Sequence, residues 1–260
     1  MKEEEKTTVT AMEDNTDAQS DAVIAAFLQD SGEVVATYAN QPLDTPLPEG
    51  HQSGFVAVIG RPNVGKSTLV NALVGQKISI VSRKPQTTRT LVTGISTKPG
   101  YQIIFIDTPG IHNRRGHKLN KRMVSSAVSA IPDADVILFV VDVLAPPHDE
   151  DRIIARILTE KNRKSPVFFV MNKMDRLALN RAQERIEAYW ELFSGYTESI
   201  PTSALKGTNI EKLQEKILAH IPEGPRYYPG DQITDQTEYT IASELIREAM
   251  LTFTHQEVPH

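Results

Sequence analysis

The stretch that decides the fold is FVAVIGRPNVGKSTLVNALVG, residues 55–75. It opens with a short, β-rich apolar run of the kind that is buried on both faces of a parallel sheet. STLVNALVG (67–75) then has the apolar spacing of a helix that ends at Gly75. The loop between them, Gly60 to Ser67, fits the pattern G-x-x-x-x-G-K-[ST]. A strand before this pattern and a helix after it are the context that identifies a phosphate-binding loop.

The chemistry of this loop follows from its backbone. Successive N–H groups turn inward around the phosphates, at the positive end of the new helix. Gly60 and Gly65 let the main chain approach the phosphates closely. Lys66 is expected to reach the β- and γ-phosphates, and the Ser67 hydroxyl is expected to bind Mg²⁺. The alternative, a chance glycine-rich turn, is disfavoured by the flanking strand and helix.

Strands and helices alternate along the rest of the chain. The pattern predicts strands at 91–97, 101–108, 135–142, 165–172 and 199–203, and helices at 118–130, 149–161, 180–193 and 210–220. The first two of these strands predict an antiparallel hairpin, and the others predict parallel crossovers. The fold class is therefore α/β, with a mixed, mostly parallel sheet flanked by helices. Ligands of such sheets bind at the carboxyl ends of the strands.

A second motif, Asp107-Thr108-Pro109-Gly110, ends an apolar strand. The Asp107 carboxylate can hold Mg²⁺ through water, and the Gly110 N–H can face the γ-phosphate. An Asp in this place is otherwise a cap or turn residue. The presence of the phosphate loop favours the functional interpretation.

A third motif, Asn172-Lys173-Met174-Asp175, also follows a strand directly and predicts base recognition. Guanine presents two adjacent donors, and a single buried carboxylate, that of Asp175, can accept both. Adenine would leave this carboxylate unpaired. A site built for such hydrogen bonds rejects an analogue that lacks the partner by a factor on the order of 10⁴ in favourable cases. Asn172 is expected to tie this loop to the phosphate loop, and the stem of Lys173 is expected to cover the base.

Two further segments gain meaning from their position. Ser203-Ala204-Leu205 follows the last strand, and its backbone N–H groups are expected to meet guanine O6. In the segment from Ser79 to Thr90, a Thr can complete the Mg²⁺ shell when GTP is bound and swing away after hydrolysis. Thr88 is the preferred residue, Thr87 is its rival, and a plain polar loop is the alternative.

Composition excludes several other classes of protein. The 260 residues are 40% hydrophobic and 23% charged, with a net charge of -5, as in soluble globular proteins. The absence of Cys excludes a disulfide scaffold, a thiolate zinc site and a cysteine nucleophile. No apolar run approaches the roughly 20 residues that a transmembrane helix needs. The acidic residues 1–50 lack the features of a signal or transit peptide, which predicts a cytoplasmic location.

Together, these segments resemble the Era family of ribosome-assembly GTPases, within the translation-factor-related GTPases. The resemblance extends over about residues 52–260. It rests on GRPNVGKSTLVNALVGQKISIVS, SRKPQTTR, DTPGIH, LNKRMVSSAVSA, VILFVVD and NKMD, and most specifically on IPEGPRYYPGDQITDQTEYTIASELIREAMLTFTHQEVP. It implies a P-loop NTPase fold of the Ras-like G-domain type. It also implies GTP hydrolysis coupled to small-subunit assembly through 16S ribosomal RNA.

The expected site combines these motifs. The catalytic residues are expected to be Lys66, Thr88 and Gly110, and the Mg²⁺ ligands Ser67, Thr88 and, through water, Asp107. The residues expected to contact GTP or GDP are Gly60, Arg61, Pro62, Asn63, Val64, Gly65, Lys66, Ser67, Thr68, Asp107, Gly110, Asn172, Lys173, Asp175, Ser203, Ala204 and Leu205.

Two residues bear on the rate of hydrolysis. Ile111 stands where Ras-like enzymes carry a water-positioning Gln, so Mg²⁺-dependent hydrolysis is expected to be slow. Asn63 resembles the Asn of potassium-stimulated GTPases, in which a monovalent cation replaces an arginine finger. The sequence therefore suggests the hypothesis that a K⁺ ion binds beside Asn63.

Four regions are expected: an acidic N-terminal extension at 1–50, a GTP-binding G domain at 51–221, a linker at 222–236, and the start of a truncated KH-type RNA-binding domain at 237–260. The resemblance implies 16S ribosomal RNA and the small ribosomal subunit as partners. A monomer is expected, and peripheral contact with the inner face of the cell membrane is left open.

Two other functions are left open by the sequence. Ile111 and an incomplete KH domain would suit a nucleotide-binding module with negligible catalysis and impaired RNA binding. A GTPase domain that serves an RNA-modification enzyme would need a further catalytic domain, which the remaining sequence does not supply.

Overall fold

The computed structural model describes residues 46–78, 92–108, 133–161, 164–237, 239–243, 246 and 250. Thr87, Thr88, Gly110, Ile111 and the helix predicted at 118–130 lie outside these residues. So does nearly all of the acidic extension. Predictions that rest on these residues stay predictions.

Among the described residues, six strands form one sheet. They are β1 (Gln52–Ile59), β2 (Val92–Lys98), β3 (Tyr101–Asp107), β4 (Val136–Asp142), β5 (Val167–Asn172) and β6 (Glu198–Pro201). Their order across the sheet is β2-β3-β1-β4-β5-β6. The hairpin of β2 and β3 is antiparallel, whereas every other neighbouring pair is parallel. The mixed, mostly parallel sheet is thereby confirmed.

Helices cover both faces of the sheet. They are α1 (Lys66–Val74), α2 (Asp149–Lys161), α3 (Leu179–Leu192) and α4 (Ile210–Leu218). Because side chains alternate along a strand, β1 contributes Val56 and Val58 to one core and Ala57 and Ile59 to the other. The first core contains residues of α1 and α4, and the second contains residues of α2 and α3.

The observed elements differ from the predicted ones mainly at their ends. β1 begins at Gln52 rather than Phe55, because Gln52 to Gly54 continue the pairing with β3. This polar and glycine-containing start hides the strand from an apolar pattern. α4 ends at Leu218, two residues before the predicted end at His220. A short 3₁₀ helix, Met174–Arg176, was not predicted.

The segment that follows α4 returns along the sheet. The backbone N–H of Ser53 donates to the carbonyl of Pro222 at 3.0 Å. The side-chain oxygen of buried Gln102 accepts from the N–H groups of Tyr227 and Tyr228, at 2.8 and 2.9 Å. Part of the predicted linker is therefore hydrogen-bonded to the sheet, while the domain boundaries stay a prediction.

The same segment then reaches the edge strand β2. The N–H of Ile95 donates to the carbonyl of Ile233 at 2.8 Å, and the Thr93 hydroxyl donates to Asp235 at 2.8 Å. Gly94 and Thr234 form an antiparallel bridge between these two contacts. Residues 233–235 therefore cover part of an edge that would otherwise expose unpaired backbone groups.

Among the residues that the structure describes, no helix has both the length and the apolar character to cross a membrane.

Replacing Gln102 by Ala should weaken the attachment of the returning segment. The N–H groups of Tyr227 and Tyr228 would lose the buried side chain that accepts from them, and we expect the free energy of unfolding to fall by about 1–3 kcal/mol. Urea unfolding measures this loss, and limited proteolysis should show earlier cleavage between residues 222 and 237. Gln183→Ala on the exposed surface of α3 is the matched control. An equal loss of stability in the two variants would contradict the prediction.

Candidate nucleotide-binding site

The phosphate loop runs from the end of β1 to the start of α1, and two of its glycines are required by their surroundings. A Cβ on Gly60 would collide with the backbone carbonyl oxygen of Val140. Gly65 has a φ of 100°, in the left-handed region, and the side-chain amide of Asn172 stands where its Cβ would be. The loop therefore lies directly against the ends of β4 and β5.

Lys66 lies inside this loop. Its ammonium donates to the carbonyls of Gly60 and Arg61, at 3.1 and 3.0 Å, and its side chain is buried. Burial lowers the pKa of Lys66 to about 8, and the charge of Asp107 opposes this shift. The loop thus holds a cation at its centre, as the motif predicts.

Ser67 and Asp107 converge from α1 and β3. The Ser67 hydroxyl donates to Oδ2 of Asp107 at 2.7 Å. Asp107 is fully buried, and the hydroxyl of the next residue, Thr108, donates to the carbonyl of Val58 at 2.7 Å. A hydroxyl and a carboxylate in contact are oxygen donors of the type that Mg²⁺ takes. The residues present therefore fit a magnesium ion.

Asn172 joins the phosphate loop to the loop after β6. Its Nδ2 donates to the carbonyl of Val64 at 2.8 Å. Its Oδ1 accepts from the N–H of Ala204 at 3.0 Å. The tie from Asn172 to the phosphate loop, expected from the sequence, is thereby confirmed.

Lys173 makes a second connection to the phosphate loop. Its backbone has a φ of 69°, and its ammonium donates to the carbonyl of Asn63 and to Asp142, both at 2.7 Å. Asn63 also has a left-handed φ, 62°. The ammonium of Lys173 therefore holds the tip of the loop from the side of the third motif.

The exposed side chain of Asp175 is bonded to the buried side chain of Ser203. The Ser203 hydroxyl donates to Oδ1 of Asp175 at 2.6 Å. Asp175 is exposed, so the expectation of a buried carboxylate is wrong for the described chain. The reason is local, since the 3₁₀ turn Met174–Arg176 that carries Asp175 has no buried residue.

The loop after β6 also differs from expectation. The N–H of Ser203 donates to the carbonyl of Thr208 at 3.2 Å, and the N–H of Ala204 is bound by Asn172. Two of the three N–H groups that were expected to meet guanine O6, those of Ser203 and Ala204, are thus engaged within the protein. The next residue, Leu205, is 72% exposed.

Sequence reasoning missed the acidic residues behind the phosphate loop. The side chain of Arg61, a residue that stays a predicted nucleotide contact, donates from Nε to Asp151 at 3.2 Å. Asp142 at the end of β4 accepts from Lys173. Asp142 could have been found, because it follows an apolar strand in the same way as Asp107 does. Asp151 carries no such signal, since acidic residues are common in the first turn of a helix.

Comparison with known proteins identifies related sequences. Residues 55–173 match the family described as 50S ribosome-binding GTPase. The chain is 49% identical over 209 residues to GTPase Era of Geotalea uraniireducens, which covers 80% of this chain and 69% of that protein. It is 48% identical to GTPase Era of Clostridium botulinum strain Hall, with the same coverage.

Solved structures of related proteins share the fold. A crystal structure of Era in complex with MgGDPNP and nucleotides 1506–1542 of 16S ribosomal RNA matches with a TM-score of 0.72 and 39% identity, over 80% of this chain and 70% of that one. An Aquifex aeolicus Era variant bound to GDP·AlF4⁻ matches with a TM-score of 0.71, 39% identity and the same coverage. Elongation factor SelB of Methanococcus maripaludis matches at 20% identity with a TM-score of 0.52, over 66% of this chain and 34% of that one. This last likeness shows the fold alone.

Proposed function

Since this chain belongs to the Era family of GTPases, we propose that it is a guanine-nucleotide switch that assists assembly of the small ribosomal subunit by binding 16S ribosomal RNA. The observation that carries the nucleotide part is the pair of hydrogen bonds that the Asn172 side chain makes to the backbone of Val64 and of Ala204. One buried amide thereby joins the loop proposed for phosphate to a loop proposed for guanine.

The phosphate end of the proposed site depends on charge and on backbone geometry. The Lys66 ammonium lies within the loop and is positioned to exchange its two carbonyl partners for phosphate oxygens. Ser67 and, through water, Asp107 are the proposed Mg²⁺ ligands among the described residues. When bound, Mg²⁺ neutralises charge on the β- and γ-phosphates. Thr88 and Gly110, outside the described residues, are proposed to complete the metal shell and to face the γ-phosphate.

The base end of the proposed site depends on Asp175. Its Oδ1 is held by Ser203, which orients the carboxylate at the end of β5. A carboxylate in this orientation accepts the two donors on the edge of guanine, whereas adenine offers an acceptor there. Asp175 is therefore the residue proposed to select GTP and GDP over adenine nucleotides.

Replacing Asp175 by Asn should transfer the preference of this chain from guanine to xanthine nucleotides. Asn presents an amide N–H where the carboxylate accepted a bond, and xanthine presents an oxygen where guanine presents an amino group. Calorimetric titration with GDP and with xanthosine diphosphate, in the presence of Mg²⁺, measures the two dissociation constants. We expect GDP to bind at least about tenfold more weakly and xanthosine diphosphate at least about tenfold more tightly than to the unaltered chain. Asp133→Asn, at the amino end of β4, is the matched control. An unchanged preference for GDP would refute the base assignment.

Asn63 is proposed to hold a monovalent cation beside the phosphates. Its left-handed φ and the Lys173 bond to its carbonyl fix its backbone at the tip of the loop. A K⁺ ion there would supply the positive charge that an arginine finger supplies in other GTPases.

Replacing K⁺ by Na⁺ should lower the rate of GTP hydrolysis, because the smaller ion does not suit a site built for K⁺. Turnover of the full chain in matched chloride salts measures the effect. Asn63→Gly removes the side chain and still permits a φ of 62°, so it should abolish the difference between the two salts. Equal rates for the unaltered chain in K⁺ and Na⁺ would remove Asn63 from a cation site.

The RNA part of the proposal rests on family membership and on the Era structure that contains 16S ribosomal RNA. Residues 237–260 are proposed to begin a KH-type RNA-binding domain. The proposed location is the cytoplasm, where the chain acts as a monomer.

The chain should bind an RNA of nucleotides 1506–1542 of 16S ribosomal RNA more tightly with a GTP analogue than with GDP. The γ-phosphate is the group whose contacts order the loops of such switches, so the two states should differ. Fluorescence anisotropy with labelled RNA measures both affinities. A scrambled RNA of the same composition is the control, and equal binding of the two RNAs would contradict the RNA assignment.

A further inference from the structure

The phosphate loop is attached to the start of α2 by a buried ion pair. The Arg61 side chain turns away from the interior of the loop, and its Nε donates to Oδ2 of Asp151 at 3.2 Å. Asp151 is fully buried and lies in the first turn of α2. The same Oδ2 also accepts from the N–H of His148 at 3.0 Å. The carboxylate is therefore held by its own helix turn while it holds the loop.

Other charged groups surround this pair. Asp142 lies 4.0 Å from Nη2 of Arg61 and also accepts from the ammonium of Lys173. Behind them, the hydroxyl of buried Tyr189 donates to the carbonyls of Asp142 and Ala145, at 2.9 and 3.2 Å. Two acidic and two basic side chains thus connect the phosphate loop to β4, to α2 and to Lys173 in the loop after β5.

Burial of the charged Asp151 carboxylate costs free energy, because the carboxylate loses its contact with water. Burial raises the pKa of the Asp151 carboxyl, while the N–H of His148 and the charge of Arg61 act in the opposite direction. A buried ion pair often contributes no more to stability than apolar residues of similar volume. The bond to the N–H of His148 gives Asp151 a capping role at the start of α2. The bond to Arg61 is a second contact, which capping of the helix does not require.

The backbone of the loop is held at two nearby points. Arg61 is anchored through its side chain to Asp151, and the Asn63 carbonyl is anchored to Lys173. Between them stands Pro62, which fixes one backbone angle. The tip of the loop, residues 61–63, is thus held from outside while its inner face is left for phosphate.

We propose that Asp151 is a positioning residue for the phosphate loop, which acts through Arg61 and slows the release of bound guanine nucleotide. This inference rests on the proposed function, because it requires the nucleotide to lie in the loop. Asp151 itself does not touch the nucleotide. It keeps the backbone N–H groups in the arrangement that binds phosphate, so its loss should act mainly on dissociation.

A double-mutant cycle on nucleotide release tests this role. Release of a fluorescent GDP derivative is measured for the full chain, for Asp151→Asn, for Arg61→Ala and for the double variant. Asp151→Asn keeps the size of the side chain and removes its charge. We expect each single variant to release nucleotide about tenfold faster, as for the loss of one charge-assisted hydrogen bond. The double variant should be no faster than Arg61→Ala alone.

A control variant separates positioning from general stability. Leu158→Ala removes a buried side chain from the same helix, two turns beyond Asp151. It should lower the urea midpoint of unfolding and leave the release rate unchanged. Faster release in Leu158→Ala, by the same factor as in Asp151→Asn, would overturn the positioning role in favour of a purely structural one.

The remaining outcomes separate this inference from the proposed function. A wild-type chain that fails to bind the GDP derivative would overturn the proposed function and this inference with it. Tight binding by the wild type with unchanged release from Asp151→Asn would overturn the positioning role alone. Additive effects of the two substitutions would also overturn it, because Asp151 would then act independently of Arg61.

Discussion

The side-chain amide of Asn172 is the contact on which the site depends. It is buried at the end of β5, and it bonds backbone groups of two loops that lie far apart in the sequence. Both partners are buried backbone groups, so a shorter side chain would leave a carbonyl and an N–H unsatisfied, at a cost of about 1–3 kcal/mol each. The parallel strand order brings the two loops to one edge. Asn172 then sets the distance between them.

The sheet and most of the helices could be predicted from residue patterns, because buried strands such as β4 and β5 are continuous apolar runs. α2 spans the predicted residues without change. The starts of elements were harder to predict. The first residues of β1 are polar, and the strand continues there only because β3 lies beside it. Such pairing depends on a neighbour that a local pattern does not contain.

The site was predictable where a motif fixes a residue by its own backbone chemistry, as at Gly65, Lys66 and Ser67. Prediction failed where the surroundings decide the outcome. Asp175 was expected to be buried, but a short turn carries it to the surface, and the N–H of Ala204 is bound by a side chain from another strand. Arg61 stays a predicted nucleotide contact, and the bond of its side chain to Asp151 was not foreseen. No motif encodes these contacts, because each depends on tertiary packing.

The edge strand β2 connects the nucleotide-binding part of the chain to the segment that follows α4. β2 follows the segment that contains Thr88, and its residues 93–95 are hydrogen-bonded to residues 233–235. Gln102 holds the preceding turn of the returning segment from the neighbouring strand β3. Because these bonds involve buried or paired backbone groups, breaking them would expose donors and acceptors together. Residues 233–235 are therefore held by the edge strand β2.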